Sequence, residues 1–500
     1  MSFLIPLLFL WFFLFPIYKD RVPSFGCFDD CFNFMGGYFL NAGKHLYSEI
    51  FYNHQPILAY LSAFIQKLGS PESMYALVWQ HRLMVIAWSI VWDVILVLRF
   101  GWVGLGFSFL YETTKGFLFG ERFLAEALIV YPLVYLAGLV WEGWKKKLKG
   151  LELVFAGIAA WFIIFSREPY VPLGLFLFGI ILWENRKNVH GALGIFFVLS
   201  LLTIFTYDLR DYFFNVVTVN TSLAATGNIF QSFVYPFLIF FGGNWNLFRQ
   251  IEVGLAILFW LALLFDSRNW KTKIPGIALI FFILGLANIR TVEPGTIYYA
   301  AFHHLLGFGV FIFITLLVLQ QSKQIPGINK KNSGNLLRLG FILLTAFAIL
   351  NPQSYLYDRV DRNAEFTQNY GQYYVPGEVV RLLSQSSDTL FLDGLDDLIY
   401  WQAKRYSPYR YSWYTSVMHE FDVYTDARIN MFKENPPDFY YGKCSDDRLE
   451  SVLPDTVLNE YLRFYWQERP TCLYVRKQMY SRVPKDRLEA VERQFEYSVR

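Results

Sequence analysis

Charge is scarce in this sequence. Of 500 residues only 17% are Asp, Glu, Lys or Arg, and the net charge is +3. No Lys/Arg run is interleaved with aromatics as a nucleic-acid groove requires, so nucleic acid is excluded as a partner. Cysteine is scarce too. Cys27, Cys31, Cys444 and Cys472 are too few for a disulfide scaffold, and no CxxC or His-rich spacing points to zinc. No internal repeat or low-complexity tract is visible. The first apolar run, Phe3 to Ile17, lacks a basic stretch before it and a small-residue cleavage site after it. It therefore reads as a retained membrane helix rather than a removed leader.

What is abundant is apolar surface. Hydrophobic residues make up 55% of the chain, with 51 Phe, 33 Tyr and 15 Trp. Such rings suit a lipid-facing surface and its interfaces. Runs near ~20 residues can span a bilayer. They fall at roughly 3–18, 81–99, 102–119, 122–141, 151–166, 170–184, 191–207, 251–266, 275–288, 299–319 and 335–350. The fold class expected is therefore a polytopic α-helical membrane protein of about 11 spans. Four basic loops set its orientation: Trp144 to Lys149, Asn185 to Lys187, Arg268 to Lys273, and Lys323 to Lys331. With the N-terminus cytoplasmic all four lie on the cytoplasmic side, as the positive-inside rule asks. The run Ser232 to Phe241 breaks that agreement if it spans, so it reads as a re-entrant or interfacial helix.

The same topology puts four segments outside the cytoplasm. They are the loop around Asp29, the Arg167-Glu168-Pro169 turn, the long loop from Asp208 to Phe230, and everything after Asn351. The expected division is a membrane domain over 1–350 and an extracytoplasmic α/β domain over 351–500, about 150 residues and a normal domain size. Within 1–350, residues 19–80 form the first external loop, and 208–250 a second external loop with the re-entrant helix. In the C-terminal part Thr389–Leu392 and Cys472–Val475 read as short buried strands, Gly377–Ser384 and Ala427–Phe432 as helices, and Pro436–Tyr441 as a turn entering a strand. All four cysteines fall outside, where disulfides can form. The pairs Cys27/Cys31 and Cys444/Cys472 fit either bridges or free buried thiols. The loop Asp208 to Phe230 is long enough to be a lid or acceptor-binding loop. Its Asn220-Thr221-Ser222 is a formal glycosylation sequon.

The most informative stretch is Cys27 to Leu58. It carries an acidic pair, Asp29-Asp30, then Ala42-Gly43, Tyr47, Glu49, Phe51 and the turn Asn53-His54-Gln55-Pro56. This order resembles the first external loop of the GT-C superfamily of lipid-dependent sugar transferases. The nearest branch holds the protein mannosyltransferases and the lipid A aminoarabinose transferases. Two departures stand out. Asp30 stands where Glu is usual, and Gln55 where the first of two prolines is usual, which leaves the turn less rigid. The resemblance implies a GT-C membrane fold with an external C-terminal domain.

Sugar transfer from a lipid phosphate needs a base for the acceptor proton, donors for the leaving phosphate, and a groove for the lipid. Asp29 is the expected base, since a carboxylate beside Phe28 and Phe32 near the membrane surface is costly to keep charged, and the resemblance gives the first acid that role. Asp30 would orient the acceptor or the loop. The alternative is that the pair only caps the helix beginning near Phe32. Glu126, at the external start of a span, is a second candidate acid; a plain helix N-terminal glutamate is the alternative. For the phosphate the candidates are Arg290, Tyr299, His303 and His304 at the ends of two late spans, with His54 and Arg82 behind them. Interfacial anchoring is the competing reading for these. Tandem His303-His304 points about 100° apart on a helix and has no third ligand nearby, so no metal is expected. Asp93, inside a span, is left outside the site, with Arg99 as its expected partner.

These residues lead to a glycosyltransferase that moves a monosaccharide from a polyprenyl-phosphate donor to a lipid, glycan or protein acceptor outside the cytoplasm. Inversion at the anomeric carbon is expected. No cofactor is implied beyond the lipid-linked donor, and the partners expected are that donor, membrane lipids and the acceptor. Two rivals remain: a non-catalytic envelope protein that binds a partner through its external domain, and a transporter. The transporter is disfavoured, since paired repeats and helices broken at mid-membrane are missing.

Overall fold

Helices carry most of the chain, as its long apolar runs require. The computed structural model describes residues 2–24, 26, 29–143, 147–223, 232–241, 244–264, 270–290, 301–321, 330–394, 398–415, 417–442, 457 and 459–500. The first helices are α1 (Leu4–Arg21), α2 (Asp30–Asn41), α3 (Ile57–Gly69), α4 (Met74–Phe100), α5 (Trp102–Thr114), α6 (Ala125–Gly143), α7 (Gly150–Ile164), α8 (Val171–Glu184) and α9 (His190–Ile204). Leu247–Leu264, Trp270–Ala287, Leu305–Gln321 and Lys330–Leu350 follow. Among the described residues, five helices are long and apolar enough to cross a membrane: Met74–Phe100, Ala125–Glu142, Leu247–Leu264, Phe302–Gln321 and Asn335–Tyr357. The count rises to six if the bent pair His190–Ile204 and Leu209–Ser222 is one span. Several of the eleven expected runs form shorter apolar helices instead, α7 among them. Within Ser232 to Phe241 lie the brief helices Tyr235–Leu238 and Ile239–Phe241. Three of the four basic loops fall partly or wholly outside the described residues.

The chain divides into two compact units that alternate along the sequence. The first comprises Met1–Val22, His81–Thr203 and Ala224–Val360; the second comprises Pro23–Gln80, Ile204–Leu223 and Asp361–Arg500. These boundaries cut across the division at residue 350 that composition suggested.

In the first unit, α6 and Phe302–Gln321 form the centre, each with 94% of its apolar window buried. Small residues allow the approach: a Cβ on Gly309 would run into Val130. Several polar groups inside are paired. Lys115 and Glu112, both fully buried, pair at 2.6 Å. Lys115 also donates to Ser89 Oγ (2.8 Å) and the Tyr131 hydroxyl (3.0 Å), while Tyr131 donates to Glu112 (2.5 Å). Asp93 accepts from Trp11 Nε1 (2.9 Å) and Ser108 Oγ (2.8 Å). Its expected partner, Arg99, turns away to Glu142 and Glu152, each at 2.6 Å.

The second unit contains a five-stranded mixed sheet of order β1-β2-β4-β3-β5. The strands are β1 (Leu390–Leu392), β2 (Phe439–Tyr441), β3 (Tyr461–Trp466), β4 (Arg469–Arg476) and β5 (Tyr497–Val499). β1 and β2 run parallel, and the other pairs are antiparallel. Helices Gly371–Leu383 and Asp422–Glu434 lie where the sequence placed them. The core is aromatic: Phe51, Phe391, Tyr409, Tyr411, Tyr424 and Tyr440 pack in one cluster. Cys31 and Cys472 are each disulfide-bonded, which removes the free-thiol alternative for them. Cys27 and Cys444 lie outside the described residues.

Candidate functional site

In the second unit α2 opens at Asp30 and buries Phe34, Met35 and Phe39. It ends where Gly43 takes φ +88°, a conformation that favours glycine. Beyond it the chain hangs on the loop 409–412. Lys44 Nζ donates to the Tyr409 carbonyl (2.9 Å), Arg410 Nε to the Ser48 carbonyl (3.1 Å), and the Phe51 amide to the Tyr411 carbonyl (3.1 Å). Tyr47 sits at φ +70°, and its hydroxyl donates to the His54 carbonyl (2.9 Å). Gln55 supplies what the missing proline does not. It is buried, and its Nε2 donates to the Tyr212 hydroxyl (2.9 Å), so a hydrogen bond pins the turn where a second ring would have stiffened it.

Asp29 occupies the N-cap position of α2 but makes no side-chain capping hydrogen bond. Helix capping therefore does not account for an acid at this position. Asp30 is fully buried, whereas Asp29 is half-buried. One helical turn on, Phe32 stacks on Tyr52 (5.0 Å) and meets His54 (5.4 Å) and Trp413 (5.6 Å) edge-on. An aromatic wall that includes His54 thus stands one turn from Asp29.

In the first unit a second group of predicted residues comes together. Glu126, in the first turn of α6, accepts at Oε1 from both Arg167 Nε (3.1 Å) and Arg290 Nη1 (2.5 Å). Arg167 also lies 3.7 Å from Glu168. Glu126 is almost fully buried, while the Arg290 side chain keeps 22% exposure. Arg290 gives one N–H to Glu126 and, of its five, meets no other acceptor among the described residues. The charges of Arg290 and Glu126 act on His303 and on Tyr170. The Tyr170 hydroxyl, both His303 ring nitrogens and Ser166 Oγ are buried with no partner among the described residues. Buried polar atoms are rarely left so. His304 belongs elsewhere: it faces Tyr235 at 6.4 Å, whose hydroxyl donates to Glu252 (2.6 Å) beside Arg249. Arg82 donates to the Val22 carbonyl (2.7 Å). Tyr299 lies outside the described residues.

Arg167 and Tyr170 were not singled out as site residues. The available signal was an arginine followed by Glu-Pro-Tyr directly after an apolar run, a costly place for an unpaired cation.

No family model matches the sequence, and no curated protein matches it. Solved structures do. ArnT from Cupriavidus metallidurans bound to undecaprenyl phosphate aligns with TM-score 0.53 and 11% identity, covering 95% of this chain and 97% of that one. The same protein in the apo state aligns with TM-score 0.50 and 12% identity, again over 95% and 97%. Identities this low speak for the fold alone: over nearly its whole length this chain has the fold of ArnT.

Proposed function

We propose that this chain is a multi-pass membrane glycosyltransferase that uses a polyprenyl-phosphate-linked monosaccharide. Its active groups and sheet-bearing unit would lie outside the cytoplasm, in the oxidising setting that the disulfides of Cys31 and Cys472 favour. The observation that carries the reading is Arg290. One of its N–H groups is tethered to Glu126; among the described residues the others meet no acceptor, and the nearby Tyr170 hydroxyl and His303 ring nitrogens have no partner. Arg binds phosphate oxygens through paired N–H groups. Arg290 with His303 and Tyr170 would hold the leaving phosphate. Glu126 would act as a positioning residue that fixes Arg167 and Arg290. The ArnT fold, seen in a protein crystallised with undecaprenyl phosphate, supports the donor class.

Asp29 would be the general base. As the acceptor oxygen or nitrogen bonds to the anomeric carbon, its proton passes to the Asp29 carboxylate. The bond from that carbon to the phosphate oxygen breaks on the opposite face, so the configuration inverts and polyprenyl phosphate leaves. Asp30 would hold the loop rather than touch substrate, since it is fully buried.

Native mass spectrometry of the detergent-purified protein tests the donor side. The wild type should retain a polyprenyl phosphate or its sugar conjugate, and Arg290→Ala should lose it. If neither binds such a lipid, even after it is added back, the reading fails. Asp29→Asn tests the base: transfer should fall by about 10²–10⁴-fold.

A further inference from the structure

The segment Ile204–Leu223 has two faces of opposite character. Outward stand Phe205, Leu209, Phe213 and Val217, exposed by 81%, 49%, 57% and 43%. The last three recur every fourth residue and so form one stripe. Inward stand Tyr212, Asn215, Val216, Val219 and Asn220, and the polar ones are bonded to protein. Asn215 Oδ1 accepts from the Tyr424 hydroxyl (2.8 Å), and its Nδ2 donates towards the Tyr47 carbonyl (3.3 Å). Asn220 and Asn53 exchange hydrogen bonds, Asn220 Nδ2 to the Asn53 carbonyl at 2.6 Å and Asn53 Nδ2 to Asn220 Oδ1 at 3.0 Å. Tyr212 meets Gln55. From Phe213 to Val219 the segment is wound as a π-helix. Its i→i+5 bonding turns Asn215 and Asn220 to one side, and such windings cluster at functional sites. The sequon asparagine thus has its amide nitrogen already engaged.

A helix that bonds its polar side chains to protein and shows large apolar ones outward is built for an apolar surrounding. Three observations identify that surrounding as a bilayer. First, α9 runs directly into this segment, and its own outer residues Phe197, Val198, Leu201 and Leu202 are exposed in the same way. Chain reach keeps Phe205 within about 7 Å of Thr203. Second, α3 repeats the pattern, with Phe64 and Leu68 exposed by 59% and 71% shortly before the spanning helix Met74–Phe100 begins. Tyr60, one turn before Phe64, donates to the Thr206 carbonyl (3.2 Å), so the two apolar stripes adjoin. Third, Tyr207 and Tyr212 stack at 5.0 Å beside the stripe, the ring type that settles at headgroup level. Charges on the segment are mixed, with Asp208, Arg210 and Asp211, so attraction to anionic lipid is not what seats it.

We propose that Ile204–Leu223 is a bilayer-docked strap. Phe205, Leu209, Phe213 and Val217 enter the boundary between headgroups and acyl chains. Tyr212, Asn215 and Asn220, on the opposite face, hold the Tyr47–Gln55 turn. Lipid contact thereby fixes the turn that carries His54. This inference stands apart from the transfer reading, because neither the docking nor its test depends on catalysis.

The test uses the full chain in phosphatidylcholine nanodiscs, with a nitroxide on Phe213→Cys, Val217→Cys or Arg210→Cys. Collision with oxygen relative to a water-soluble nickel complex should be several-fold higher at 213 and 217 than at 210. Equal ratios at the three sites would overturn the docking. Shielding from both reagents at 213 and 217 would show a protein partner or second copy on this face, and would also overturn it. Phe213→Asp combined with Val217→Asp should raise amide exchange over residues 47–55 several-fold. If that double variant does not fold, Asn220→Ala, which keeps the apolar stripe, should raise exchange over the same residues. Unchanged exchange in a folded variant would break the proposed link between strap and turn.

Discussion

The two units bury polarity by opposite means. The first places whole charges among apolar helices and matches them in pairs: Lys115 with Glu112, Arg249 with Glu252, and Glu126 with two arginines. The second fills its core with tyrosines, whose rings pack while their hydroxyls reach nearby acceptors. Tyr409 donates to the Tyr424 carbonyl (3.0 Å), Tyr461 to the Pro437 carbonyl (2.7 Å), and Tyr440 to Asp393 (2.9 Å). The second unit buries charges too: Arg428 lies against Asp393 and over the ring of Tyr414, and Glu378 pairs with Arg381. The contrast follows from what each element can offer. Helices with apolar surroundings satisfy their own backbones and leave few acceptors free, so a buried cation must bring its own anion. Loops and short strands leave carbonyls free, and a hydroxyl can find one.

If this contrast is right, the largest stability loss comes from splitting a pair in the first unit. Lys115→Met leaves the Glu112 carboxylate buried without its cation, and removing one partner of a buried pair costs about 3–5 kcal/mol. The four rings around Lys115, those of Trp11, Tyr18, Tyr111 and Tyr131, cannot replace it, because their faces favour cations and not a carboxylate. Thermal melting in detergent should show a large drop for Lys115→Met and recovery of most of it when Glu112→Gln is added. A single-variant loss under about 1 kcal/mol would mean that the buried charge is not held by its partner.

A smaller loss is expected from the second unit. Tyr424→Phe keeps the ring among Phe51, Phe214 and Tyr411 but removes the bond to Asn215. A buried hydrogen bond of this kind contributes about 0.5–1.5 kcal/mol. Asn215→Ala also removes the bonds of its Nδ2 to the Tyr47 and Asp211 carbonyls, but combined with Tyr424→Phe the losses should fall short of additive, since the two variants share the Tyr424–Asn215 bond. Full additivity would show that the hydroxyl is not what joins the strap to the aromatic core.

Much of this arrangement was legible in the residues. The strand cores Leu390–Leu392 and Leu473–Val475 were readable from their apolar runs, and the motif from Asp29 to Pro56 pointed to the GT-C fold. The division into units was not legible, and the reason is physical. α3 and most of Ile204–Leu223 were read as external loops of the domain over 1–350, because nothing local in either segment records that it belongs with the C-terminal sheet. Partners were harder still. Glu126 and Arg290 were each picked out, but 164 residues separate them, and no local pattern records their meeting. Asp93 failed in the reverse direction. Arg99 was near in sequence, whereas Asp93 is held by Ser108 and by Trp11, the latter 82 residues away.

The finest test concerns a half-buried cation in the second unit, Lys44. Burial pushes Lys44 down to about 8, against the pull of Glu49. An unfolded lysine titrates near 10.4. Between about 8 and 10.4 the unfolded chain therefore holds more protons than the folded one, and stability rises with pH across that window. Below about 8 both states are protonated and the slope vanishes. Buried tyrosines such as Tyr409 and Tyr424, held above their ordinary value by burial, add a slope of opposite sign as the pH nears 10. The check is therefore a difference between variants: Lys44→Met should remove the climb in melting temperature that Lys44 contributes from about pH 8 to 10. If Lys44→Met leaves the climb untouched, the Tyr409 and Arg410 carbonyls that receive Nζ hold the ammonium as well as water does. The second unit would then bury a lone cation without an anion, and the contrast between the units would fail at that residue.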